Sequence, residues 1–330
     1  MNKMNLILGT LGTPNSRHLP LILAPMEDIT DPPFRVLCKR LGADVMVSEF
    51  ISSEGLIRNV SRSVEKITLK AQERPIGIQI YGNNIESMKS AAMLAEQAEP
   101  DLIDMNFGCS VKKIVQKGCG AGILNDIPKM VQMTEAVVKS VKVPVTVKTR
   151  LGWDEKNKNI EEITERLQDI GIAAITIHGR TKAQLYKGDA DWTLIGKIKE
   201  NPRINIPIFG NGDVDSPEKA LEMKNKYNVD GIMIGRAIYG NPWLFRDIHH
   251  YFETNNLLSP PLIKERATVC KQHLQACMNL YGERYGILTL RRHYKKYFKG
   301  FPNFKPYYTQ LVTLDNRVEI ENILSEIQNF

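Results

Sequence analysis

Residues 104–110, Asp-Met-Asn-Phe-Gly-Cys-Ser, set a thiol one position beyond a glycine and directly behind the apolar pair Leu102-Ile103. That order describes a strand ending in a turn that presents Cys109, with the Asn106 amide free to steer the turn or a bound ring. A thiol so placed can serve as an acid, since its ordinary pKa of about 8.5 keeps it protonated near neutrality. The same segment is equally a buried cysteine beside a turn. Further along, Lys148 and Arg150 close one apolar run, His178 closes another, and Gln79 lies within a third. A cation beside an electron-accepting ring stabilises its reduced, anionic form, and a glutamine both donates to and accepts from a ring edge. Gly210-Asn211-Gly212-Asp213 and Gly235-Arg236 follow two later runs. Glycine there lets backbone N–H groups approach a phosphate, and Arg236 adds a charge-assisted contact. Pro25-Met26 supplies an apolar wall. These features fit FMN better than NAD, because no glycine fingerprint directly follows a strand and no GxxxxGK[ST] phosphate loop is present. The glycine-spaced residues 118–122 are expected to form a flexible loop, with Cys119 packed beneath it.

The elements that must position these residues are legible as alternation. Apolar runs at 21–24, 45–47, 76–80, 102–105, 144–148, 174–177, 206–209 and 231–234 are separated by segments with helical spacing at 85–98, 128–141, 160–170 and 217–227. Ser216-Pro217 is a strong helix start, a capping hydroxyl followed by a proline whose missing N–H is harmless in the first turn. Short apolar strands divided by helices imply a parallel sheet covered on both faces, and eight such units imply closure into a (β/α)8 TIM barrel. The candidate residues then gather at the C-terminal ends of the strands, where such barrels keep their chemistry. Residues 6–8 and 19–23 are expected to form a hairpin at the barrel's bottom.

After Asp247 the pattern turns wholly helical, at 260–280, 287–298 and 318–327, and predicts a small C-terminal all-helical bundle. The division expected is 1–250 for the barrel and 251–330 for the bundle. Between Arg284 and Lys305 there are seven basic residues and no acidic one, interleaved with Tyr285, Tyr294, Tyr297, Phe298, Phe301 and Phe304. Basic charge supplies phosphate affinity and aromatic rings stack on exposed bases. Tyr294, Tyr297 and Phe301 have the spacing of core positions, whereas Arg291, Arg292, Lys295 and Lys296 can face solvent and RNA. His293 is open to either role.

The 330 residues contain no apolar run long enough to span a bilayer and no long apolar leader. Five cysteines without a CxxC pair point to a reducing cytoplasm, and the net charge of +7 permits a polyanionic partner without requiring one. His18, His249, His250 and His273 show no spacing with cysteine or acidic residues that builds a metal site, so no metal is expected.

In ordered combination, Ala24-Pro25-Met26 with Thr30-Asp31, Asn106-Phe107-Gly108-Cys109, Val147-Lys148-Thr149-Arg150, His178-Gly179-Arg180-Thr181, Gly210-Asn211-Gly212-Asp213, Gly235-Arg236 and Arg291-Arg292-His293 resemble the tRNA-dihydrouridine synthases, most closely the bacterial DusB-type branch. The resemblance implies an FMN enzyme that uses NADPH to reduce the C5–C6 double bond of selected tRNA uridines. It makes Cys109 the acid that protonates C5, with hydride reaching C6 from reduced FMN, and Asn106 and Arg150 contacts to the uracil. It makes Gln79, Lys148 and His178 contacts to the flavin ring, and Asn211, Gly212, Gly235 and Arg236 the phosphate loops. The base must leave its stack to reach such a site. D-loop position 17 is the expected target, and a monomer is expected. Ser110 stands where the family usually has proline, and Asp28 where it usually has glycine. Two other functions remain open at this stage: an FMN barrel acting on a small molecule, and a non-catalytic RNA-binding relative.

Overall fold

The computed structural model describes residues 19–330. The expected partner strand at 6–8 lies outside the described residues. Nine strands, all parallel, form the sheet: β1 (Leu21–Leu23), β2 (Met46–Val47), β3 (Ile51–Ser52), β4 (Ile76–Tyr81), β5 (Leu102–Asn106), β6 (Val145–Arg150), β7 (Ala174–His178), β8 (Ile208–Asn211) and β9 (Gly231–Ile234). Their order runs β1-β9-β8-β7-β6-β5-β4-β2. A parallel bridge between Ile22 and Val45 joins the two ends, and Leu23 N–H donates to the Val45 carbonyl at 2.9 Å. The TIM barrel is thereby closed. β2 and β3 occupy one barrel position, since both pair with β4 on either side of residues 48–50. The strand is interrupted where the Ser48 hydroxyl accepts the Gln79 backbone N–H at 3.0 Å.

Strand side chains are almost wholly buried, which explains why they read as continuous apolar runs rather than alternating ones. Helices Ile85–Glu96, Ile127–Ser140, Ile160–Asp169 and Pro217–Tyr227 cover the outside close to the expected bounds. Ser216 caps the last of these through the Lys219 N–H at 3.1 Å, with Pro217 in its first turn.

The helix Leu244–Thr254 runs through position 250, and residues 255–262 lead from it into the helical part. That part contains helices Ile263–Tyr281, Glu283–Tyr297, Phe304–Thr313 and Arg317–Gln328. It packs on the barrel helix Pro32–Arg40 through rings. Phe34 lies 5.4 Å from His273 and 5.3 Å from His293 between centroids, and the two histidines lie 4.7 Å apart. His293 is therefore a packing residue at this seam, 1% exposed, rather than one that meets RNA. Tyr294 and Tyr297 are buried as their spacing predicts. Burial pushes the His273 imidazole down to about 3 and holds His293 well below its ordinary value, so both rings are neutral.

Candidate active site

Strand register brings the candidate residues into one ring. Gln79 stands opposite Asp104, Asn106 opposite Lys148, Arg150 opposite His178, and His178 opposite Asn211. Asn106, Arg150, His178 and Asn211 end their strands, and Gln79, Asp104 and Lys148 stand two residues before the ends of theirs.

The cysteine turn is built from Asn106. Its side-chain oxygen accepts the N–H groups of Gly108 at 3.0 Å and Cys109 at 2.8 Å. Its amide nitrogen donates to Gln79 Oε1 at 2.8 Å, and Gln79 Nε2 donates to Asp104 Oδ2 at 2.6 Å. The Thr146 hydroxyl donates to the other Asp104 oxygen at 2.5 Å. Every side chain in this chain of bonds is buried. A low-dielectric surrounding strengthens such bonds and makes each member costly to orphan. Asp104 thus fixes the amide orientation of Gln79, which fixes that of Asn106, which fixes the turn. From the other side, Arg150 Nε donates to the Gly108 carbonyl at 2.8 Å, and the Ala121 N–H donates to the Cys109 carbonyl at 2.9 Å.

Residues 118–122 are not the flexible loop that glycine spacing suggests. Gly120–Asn125 is a buried 3-10 helix seated against the cysteine turn. Gly120 has a φ of +54°, and a Cβ there would lie 2.8 Å from the Cys109 carbonyl oxygen. Glycine is needed for close approach, not for motion. Cys119 is buried and its thiol is free. The Cys109 thiol is also free, and burial pushes it above its ordinary value, so it stays protonated and able to donate.

On the opposite wall, Lys148 Nζ donates to Asn211 Oδ1 at 3.1 Å, and the Asn211 amide donates to the Met233 carbonyl at 2.8 Å. Burial, followed by the Arg150 charge, lowers Lys148 to about 8. Burial and the charges of Lys148, Arg150 and Arg180 hold His178 far below its ordinary value, so the imidazole is neutral and Lys148 carries the charge. Arg180 grips Asp213 with two bonds, of 2.5 and 3.0 Å, and Arg236 joins the same carboxylate at 3.0 Å. Burial opposes ionisation of Asp213. The Arg180 hydrogen bond, the Ala190 N–H and the two cations outweigh it and hold the carboxyl below its usual range.

The remaining expected residues fall into two groups. Pro25 and Met26 follow β1, and the Met26 sulfur faces Gly235, 3.7 Å from where a Cβ would stand. Arg150 is buried, and its guanidinium also donates to the carbonyls of Thr181 and Leu185, both at 3.1 Å, and to the Ser110 hydroxyl at 3.4 Å. Serine at position 110 therefore gives the turn a side-chain tie. Of the basic helix residues, Arg291 turns away to the Leu314 carbonyl at 3.0 Å and the Asp315 carboxylate at 2.5 Å. Arg292 reaches the barrel mouth, where it donates to the Asp28 carbonyl. Lys296 lies 5.5 Å from the Tyr239 ring centroid, and Lys295 is exposed without a hydrogen bond or ion pair among the described residues.

Tyr186 belongs to the site without any sequence signal. Its exposed ring lies 4.5 Å from the Arg236 guanidinium, 5.8 Å from that of Arg150, and 6.3 Å from the His178 ring.

The mouth suits a flavin phosphate with an electron-accepting ring. Gly212 has a φ of +119°, and a Cβ there would meet Ala190 at 2.7 Å and His178 at 3.0 Å, so the backbone is kept bare beside the expected phosphate loop. Arg236 stands at the rim of that loop, 56% exposed despite its pairing with Asp213. Among the described residues Lys148 has one hydrogen-bond partner for three donors, which leaves donors for the acceptor edge of a ring. By contrast, a groove of about 1170 Å³ lined by Leu262, Phe301, Tyr307 and Phe330 lies away from these residues and carries none of them.

Comparison with known proteins bears on the fold and the family. Among solved structures, morphinone reductase superposes with a TM-score of 0.52 at 13% identity, over 74% of this chain and 87% of that one. Histamine dehydrogenase from Rhizobium sp. 4-9 superposes with a TM-score of 0.55 at 12% identity, over 78% of this chain and 48% of that one. Both likenesses concern the fold alone. Among curated proteins, the chain is 39% identical to tRNA-dihydrouridine synthase B of Pseudomonas putida, over 92% of this chain and 90% of that one. It is 41% identical to tRNA-dihydrouridine synthase B of Shewanella oneidensis, over 83% and 84% respectively. It is 38% identical to the probable tRNA-dihydrouridine synthase of Rickettsia bellii, over 86% of each. The dihydrouridine synthase family model matches residues 22–329, which include the whole ring of strand-end residues and the helical part, and the chain belongs to that family.

Proposed function

We propose that this enzyme reduces the C5–C6 double bond of a D-loop uridine of tRNA, position 17 being the expected target, with FMN at the barrel mouth and NADPH as electron donor. The observation that carries this reading is the pairing of a protonated Cys109, held by Asn106, with the Lys148 ammonium across the same mouth. Bound FMN would supply to C6 the hydride that it takes from NADPH. The protein's part is then to hold a proton donor over C5, and a thiol kept protonated by burial does so at neutral pH. Atoms balance: one hydride and one proton enter the ring, and the C5–C6 double bond becomes single.

Lys148 and Gln79 would hold the flavin ring edge, with neutral His178 beside them, and Pro25 and Met26 its apolar face. Asn211, Gly212, Gly235 and Arg236 would hold its phosphate. Asn106 and Arg150 would keep the uracil in register with the thiol. Residues 251–330 would form the tRNA-binding part, with Lys295 and Lys296 on phosphates beside Arg291 and Arg292, and 1–250 the catalytic barrel of a cytoplasmic monomer. No metal has a role in this scheme.

The test is a single-turnover comparison of wild type and Cys109→Ala, following flavin reduction by NADPH and then reoxidation by unmodified tRNA. The variant is expected to keep its flavin and its reduction by NADPH, while tRNA-dependent reoxidation slows by about 10²-fold or more. Reoxidation at the wild-type rate would remove Cys109 from the chemistry.

A further inference from the structure

The loop after β1 carries a second set of charges at the rim of the mouth, outside the chemistry described above. The carboxylates of Glu27, Asp28 and Glu49 offer oxygens that lie within 4.8 Å of one another. Three cations answer them. Arg62 pairs with Glu27 at 2.8 Å and Asp28 at 3.0 Å, and Lys66 pairs with Glu27 at 2.7 Å. Arg292 comes from the helix Glu283–Tyr297, places its guanidinium 3.8 Å from the Asp28 carboxylate, and donates to the Asp28 backbone carbonyl. One residue of the first barrel loop therefore holds the Arg292 side chain of the basic helix, whose backbone Tyr239 holds by donating to the Arg292 carbonyl.

Asp28 has a φ of +61°, a conformation that glycine adopts without strain. The turn itself would form equally well without a side chain. The carboxylate is thus not required by the backbone, and it stands 56% exposed facing Arg62 and Arg292. Lys295 lies three positions beyond Arg292, on the same side of the helix. The Arg292 side chain thus adds a tether, at the mouth, to a helix turn that His293 and the Arg292 carbonyl already seat, and Lys295 rides on that turn.

We propose that Asp28 is a positioning residue for tRNA: it withholds Arg292 from phosphates and uses it to fix the basic helix against the mouth, so that one nucleotide is presented to Cys109. This rests on the tRNA-reducing function proposed above. It makes an unusual demand. Removing the carboxylate takes one anion from beside Arg62, which keeps Glu27, and from beside Arg292, which among the described residues keeps only the residue-28 carbonyl. Both guanidinium groups then turn more readily to phosphate, so tRNA binds more tightly and with steeper salt dependence, while less of the bound tRNA is productively placed. A residue with a merely structural role would weaken binding when removed.

The experiment uses the full-length flavin-loaded protein with an unmodified tRNA transcript, and compares wild type, Asp28→Asn, Asp28→Gly and each in an Arg292→Gln background. Affinity over a range of KCl concentrations and the uridine reduction rate at saturating tRNA are both measured. In the two single variants, affinity at low salt is expected to rise roughly threefold, and the log–log salt slope to steepen by about 0.7 for each phosphate gained. The saturating rate is expected to fall roughly fivefold, the signature of misplacement rather than lost binding. In the Arg292→Gln background both effects should largely vanish. Weaker binding, an unchanged saturating rate, or effects that persist without Arg292 would each overturn the proposal. So would a loss confined to Asp28→Asn, since Asp28→Gly takes the turn without strain. A wild-type enzyme that reduces no uridine would instead overturn the function, while the binding curves would still decide whether Asp28 withholds Arg292.

Discussion

The barrel mouth and the basic helix both concentrate positive charge, yet they hold it in opposite ways. At the mouth, Arg150 and Arg180 are buried and bonded to loop carbonyls and to Asp213, and Lys148 is bonded to Asn211. On the helix Glu283–Tyr297, Lys295 is exposed without a bonded partner among the described residues, Lys296 only leans on the Tyr239 ring, and Arg291 and Arg292 are tied down. Fixed charges suit a reaction, because donors already aimed at a developing charge need no rearrangement as it forms. Loose, hydrated charges suit a polyanion, because their affinity comes from released counterions and tolerates variation in geometry. On the function proposed above, the difference separates chemistry from recognition within one molecule, and each side can be tested alone.

The largest effect is expected at the mouth. Lys148→Met, which keeps the stem and removes the charge, should slow uridine reduction by about 10²-fold. The pH dependence carries a sign. Lys148 sits near 8 in the fold against an ordinary 10.5, so its ammonium is lost as pH rises through about 8. Activity of the wild type should fall on that alkaline limb, and Lys148→Arg should move the limb upward. Charging a group whose value is depressed on folding weakens the fold. Stability of the ligand-free protein attributable to Lys148 should therefore rise between pH 8 and 10.5, and thermal unfolding of wild type against Lys148→Met would detect it. A flat profile in both assays would break the distinction between fixed and loose charge.

The smaller effect is expected on the helix. Lys295→Ala with Lys296→Ala should weaken tRNA binding roughly three- to tenfold at low salt and reduce the log–log salt slope by about 1.4, two phosphates at single-strand stoichiometry. Binding titrations at several KCl concentrations give both numbers. An unaltered slope would mean that neither lysine meets a phosphate. Of the two, Lys295 should contribute more, because Lys296 already leans on Tyr239.

Much of the barrel was legible because both faces of its strands are covered, which turns each strand into an unbroken apolar run. Cys109, Lys148 and His178 stood out because each interrupts or terminates such a run. The split of β2 from β3 was not legible, since it depends on the Ser48 hydroxyl meeting the Gln79 N–H from another strand. The glycine spacing at 118–122 reads as flexible because spaced glycines signal close approach and motion alike, and only the neighbouring Cys109 carbonyl shows that residues 120–125 form a packed turn. The helix Phe304–Thr313 has no side-chain cap, so Pro306 in its first turn stood without the capping residue that marks Ser216-Pro217 as a start. The grip of Arg180 on Asp213 and the place of Tyr186 depend on loops meeting across the mouth. Spacing along the chain has no bearing on such meetings. Asp28 was visible as a departure from the family pattern, but its partner lies 264 positions away.

The most direct measurement is mass spectrometry of unmodified tRNA after incubation with the protein, FMN and NADPH, with fragments mapped to single nucleotides. The expected result is a gain of two hydrogens at one D-loop uridine that disappears when NADPH is withheld. No gain at any uridine, with flavin bound and reduced by NADPH and with tRNA taken from cells lacking the gene, would contradict the assignment of tRNA as the substrate.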